Sequence, residues 1–72
     1  MQVIAIYQGN EIAYGEGTSS AYAIEECISN IEQMYIDEAL DEIMLTFADI
    51  GGSTYPKYMM LTEVYYRERQ YF

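Results

Sequence analysis

The chain has 72 residues, twelve acidic and three basic, with no His, one Cys and a formal net charge of −9 at pH 7. That length makes one domain, 1–72, with a thin core, and an apolar content of 51% is too high for a disordered chain. The charge repels nucleic acid and anionic lipid alike, which leaves basic proteins or cations as charged partners.

Residues 2–8 contain Val3, Ile4, Ala5, Ile6 and Tyr7, the β-branched and aromatic weight of a strand. Gly9-Asn10 separates this run from Ile12–Glu16 and reads as a two-residue hairpin turn, since both residue types tolerate positive φ. In that register Tyr7 lies opposite Ile12 and Ala5 opposite Tyr14, while Ile6 meets Ala13 and Ile4 meets Gly15. The second set is small enough for a helix to approach closely. The first, with Val3, is an apolar face that needs cover from the chain, a second copy or a partner.

Residues 15–18 break the strand, and Ser19 or Ser20 can cap a helix. Ile24, Ile28, Ile31 and Tyr35 follow at spacings of four, three and four, flanked by Cys27 and Met34. Glu25 and Glu26 suit the positive end of the helix dipole. Cys27 reads as a buried small hydrophobe, and without His no Cys-His pair can form within one copy. Next come Ile36, Ala39, Leu40, Ile43, Met44 and Phe47, again at helical spacing but rotated roughly 120° from the first stripe. The spacing predicts a break near Asp37 and a second helix ending at Gly51-Gly52. Alternation of Ile43, Leu45 and Phe47 with Met44, Thr46 and Ala48 also allows a strand.

Pro56 disfavours helix at Tyr55. A strand is predicted over 58–67, antiparallel to the hairpin and bearing or adjoining Lys57, Arg67 and Arg69, the three basic residues. The fold class is therefore α+β: a hairpin and a C-terminal strand in a small antiparallel sheet, packed by one long or two short helices (ββααβ, with ββαββ as the alternative).

No catalytic residues emerge. The Ser residues sit in cap and loop contexts without a nucleophile elbow. Gly15-Glu16-Gly17 lacks the remaining glycines and Lys of a phosphate loop. No Ca²⁺-loop pattern and no Glu-x-x-His motif is present, so no metal or other cofactor is expected. With neither a secretory leader nor about 18 consecutive apolar residues, the chain is expected to be non-enzymatic, off the membrane and cytoplasmic.

What stands out is charge. Glu25, Glu26, Glu32, Asp37, Glu38, Asp41, Glu42 and Asp49 fall within the helical middle, and no basic residue precedes Lys57. B-DNA carries one charge per roughly 1.7 Å of axis, and its binding proteins line their clefts with Lys and Arg. Carboxylates repeated on a rigid helix offer a comparable array, so these eight residues are the expected surface for a basic nucleic-acid-binding protein. In size, acidity and lack of catalytic residues the chain resembles small phage-encoded inhibitors of host defence, the anti-restriction and anti-CRISPR DNA mimics. The resemblance is one of character over the whole chain; no family motif is matched and no functional residue is carried over. It implies a CRISPR effector or restriction enzyme as target, blocked at its DNA channel in the host cytoplasm. The alternative is a small adaptor or homodimer using the hairpin face and a Tyr-rich C-terminal strand, with the acids serving solubility.

Overall fold

The computed structural model describes residues 1–48 and 58–64. Its elements are β1 (Gln2–Tyr7), β2 (Asn10–Glu16), α1 (Ser20–Asn30), α2 (Gln33–Ala39), a 3-10 turn (Leu40–Glu42), β3 (Met44–Ala48) and β4 (Tyr58–Met60). Residues 61–64 continue as helix. The strands form one antiparallel sheet in the order β2-β1-β3-β4. The fold is α+β, as the sequence implies.

The hairpin forms one residue earlier than expected. Gln8 and Gly9 take positive φ, 51° and 81°, the pair a type I′ turn requires. Gly suits the second central position, so the turn is Gln8-Gly9 and Asn10 opens β2. A bulge between Ala5 and Ile6 then shifts the register: Tyr7 pairs Asn10, Ile6 pairs Glu11, Ala5 pairs Ala13, Ile4 pairs Tyr14 and Val3 pairs Gly15. Small residues do meet the helix, but they stand opposite Val3 and Ala5. Tyr14 moves to the other face, with Ile4 and Ile6.

Ser19 caps α1, its Oγ accepting from the Tyr22 N–H at 3.3 Å. Because α1 begins at Ser20, Glu25 and Glu26 lie beyond its first turn and outside the reach of the dipole. The helix ends sooner than predicted, at Asn30, and Asp37 sits inside α2 instead of at the break. Ser29 Oγ bonds the Glu26 carbonyl, and the Asn30 side chain donates to the Tyr14 carbonyl at 2.8 Å. The Ser29 bond competes with the helical ladder, while Asn30 ties the last turn to β2. Ile31 is then extended and buried.

The second apolar stripe is real only to Ile43. Met44–Ala48 is β3, not helix, because period-two alternation places Leu45 and Phe47 in the core beside Val3 and Ala5. It supplies the second neighbour of β1. The C-terminal strand is correspondingly short: β4 pairs β3, not the hairpin, and 61–64 turn helical so that Leu61 and Val64 enter the core. Expectations for 49–57 and 65–72 lie outside the described residues.

The core therefore fills one side of the sheet: Val3, Ala5, Leu45, Phe47 and Met59 beneath Ala23, Ile24, Cys27 and Ile31. Ile28, Tyr35, Ile36 and Leu40 close its rim, and Tyr7 meets Tyr35 edge-on at 5.4 Å. Met34, expected beside the first stripe, is exposed.

Cys27 shows how dry this core is. Burial pushes its thiol up to about 11 from the ordinary 9.0, while a bond to the Ala5 backbone pulls the other way. The native state thus keeps a proton that the unfolded state releases, so stability falls as pH rises from about 9 to about 11. At pH 8, Cys27 should react with a disulfide reagent only as fast as the protein unfolds, and promptly once urea unfolds it. Prompt reaction without denaturant would place the thiol at the surface.

Candidate functional site

The acidic residues singled out by sequence occupy the helical layer. Glu25 and Glu26 lie on the face of α1 opposite the buried Ala23, Ile24 and Cys27. With Tyr22, 66% exposed, and Ser29 they line a shallow depression of about 530 Å³. Spacing of three, four and seven residues makes Tyr22, Glu25, Glu26 and Ser29 one helical stripe. Glu32 stands at the N-cap of α2 but makes no side-chain capping bond. Asp37 and Glu38 follow on α2, where Asp37 accepts from Gln33 Nε2 at 2.9 Å. Asp41 and Glu42 fall on the 3-10 turn. All seven are exposed. Asp49 lies outside the described residues.

The acids do not make one straight helical face. The break at Ile31–Glu32 divides them into a pair on α1 and a group running from α2 into the 3-10 turn. The surface is angular, set by where Asn30 stops the first helix.

Three more carboxylates enlarge it. Glu11 and Glu16 lie on β2 and Glu63 in the helical segment 61–64, all exposed. Glu16 Oε2 accepts from the Tyr14 hydroxyl at 2.8 Å. That bond raises the Tyr14 pKa, assisted by partial desolvation, the Glu16 charge and the charge of Glu26. Tyr14 therefore feels carboxylates from both β2 and α1, one negative field spanning sheet and helix. Period-two alternation in β2 was the signal that Glu16 faces away from the helix; the bulge hid it for Glu11.

Ten of the twelve acids are thus described and all are exposed, while the three Lys and Arg residues lie outside the described set. Among the described residues no ion pair neutralises any of them, and no three His, Cys, Asp or Glu side chains gather to hold a metal ion. Nor is any described helix long and apolar enough to cross a membrane. The arrangement is suited to attracting a cationic surface, because ten exposed carboxylates sum to a negative potential that a countercharge relieves. Comparison with protein-family models, curated proteins and solved structures returned no match.

Proposed function

We propose that the protein is a non-enzymatic inhibitor that occupies the DNA-binding cleft of a basic nucleic-acid-binding protein, in the cytoplasm of the cell whose enzyme it blocks. The observation that carries this reading is the set of ten exposed carboxylates in a chain with twelve acidic residues and three basic ones. Solubility alone does not need an array this one-sided; interspersed charges of both signs serve it as well. A cleft lined by Lys and Arg gains from such a surface what it gains from phosphates, including release of condensed counterions. The break at Ile31–Glu32 keeps these carboxylates off one straight rod. CRISPR effectors and restriction enzymes, the targets implied by the resemblance in size and charge, are the first candidates. The test is displacement of labelled duplex DNA from a panel of these enzymes. Competitive displacement from at least one supports inhibition at the DNA cleft; binding that leaves the DNA in place contradicts it.

A further inference from the structure

The sheet has a second face, on the side away from α1. The register places two rows of side chains straight across it: Tyr14, Ile4, Thr46 and Tyr58, then Glu11, Ile6, Met44 and Met60. Residues directly paired in an antiparallel sheet share a face, so these eight are coplanar neighbours. None belongs to the core cluster or packs against it. Tyr14 and Tyr58 at the two rims are 40% and 64% exposed. Ile4, Ile6, Met44 and Met60 form a continuous apolar centre, half-buried, with no described core residue packed on it. A sheet normally buries such a surface against another layer.

We propose that this face binds a basic amphipathic α-helix of a partner protein. Shape favours a helix. Four strands spaced about 4.8 Å apart put the rim tyrosines about 14 Å from each other. Between them lie Ile4 and Thr46, with Ile6 and Met44 in the next row, and a helix about 10 Å across fits that width. Its apolar stripe meets the isoleucines and methionines while the two Tyr rings flank it.

Charge specifies the helix further. Glu11 and Glu16 border this face along β2, no described side chain there is cationic, and the Tyr14 hydroxyl is already engaged by Glu16. Glu11 pairs with Ile6 and Glu16 with Gln2, about 13 Å apart along β1, so Lys or Arg residues two to three turns apart beside the apolar stripe find one carboxylate each. A second copy of the chain, itself at −9, brings like charge to that rim. This face shares Glu11 and Glu16 with the acidic surface, but its apolar floor lies on the side of the sheet away from α1, so methyl shifts at that floor and displacement of DNA are read separately.

The experiment is methyl NMR of the full chain titrated with a Leu/Lys amphipathic helical peptide of about 18 residues, roughly 27 Å long. Saturable shifts at the Ile4, Ile6, Met44 and Met60 methyls are expected. A Leu/Glu counterpart, and a peptide of the same Leu/Lys composition with its pattern scrambled, should leave these methyls unmoved. Ile6→Glu should weaken binding about tenfold or more, as the loss of one buried anchor would. Should that variant fail to fold, the wild-type shift map still decides. Shifts confined to the α1 and α2 surface would overturn the proposal. So would contacts from these methyls, in the peptide-free protein, to residues 65–72 or to a second copy.

Discussion

Gly15→Ala is expected to cost about 3 kcal/mol. The reason is space, because Gly15 has an ordinary negative φ. A Cβ there would sit 2.3 Å from the Ala23 carbonyl oxygen and 2.3 Å from the Cys27 amide nitrogen, both backbone atoms of α1. Neither can swing aside as a side chain would. The helix must lift off β2, opening the core around Ile24 and Cys27. A domain of this size holds roughly 4–11 kcal/mol in all, so one methyl group removes a large share. Gly9 provides the contrast. It has φ +81° but open space around it, so Gly9→Ala pays only left-handed strain, about 1–2 kcal/mol. Urea denaturation of both variants separates these causes. A Gly15→Ala cost no greater than that of Gly9→Ala would mean α1 does not cross β2 at this point.

The second large effect concerns binding. Replacing Glu25, Glu32, Asp41 and Glu42 by Lys should weaken the complex with a basic target about a thousandfold. Each reversal adds two charge units, taking the formal charge from −9 to about −1. Each exchanges an attraction worth up to about 1 kcal/mol for a repulsion, and four together approach the 4 kcal/mol that a thousandfold requires. All four side chains are exposed and carry no described structural bond, so the fold should survive, or gain slightly as self-repulsion eases. Wild-type affinity should fall steeply between 50 and 200 mM salt and the variant's much less. Equal affinity of wild type and variant, at low salt and with circular dichroism unchanged, would assign the acids to solubility alone.

Much of this was legible in the residues. Val3–Tyr7 and the Gly9 turn announce a hairpin, Ser19 announces a helix start, and Ile24, Cys27 and Ile31 give its buried face. The bulge at Ile12 was not legible, since it comes from fitting two strands over one helix. β3 was legible only as the alternative: Ile36, Ala39, Leu40 and Ile43 establish a helical period that Met44–Ala48 continues, while the alternation of Leu45 and Phe47 with Met44, Thr46 and Ala48 also allowed the strand that forms. What decides there is the demand of β1 for a second hydrogen-bonded neighbour, a tertiary effect that overrides local pattern. The acids of the helical layer were identifiable because exposure follows from charge. Their angular arrangement was not, because it depends on Asn30 reaching across to the Tyr14 carbonyl.

DNA mimicry is tested most directly by competition at equilibrium. A target enzyme is titrated with the chain at several fixed concentrations of unlabelled duplex DNA, and the apparent Kd for the chain is measured at each. If carboxylates and phosphates occupy the same Lys- and Arg-lined cleft, that Kd rises in proportion to DNA concentration without reaching a plateau. A Kd that stays constant, or that levels off as DNA saturates, places the chain elsewhere on the enzyme and contradicts mimicry.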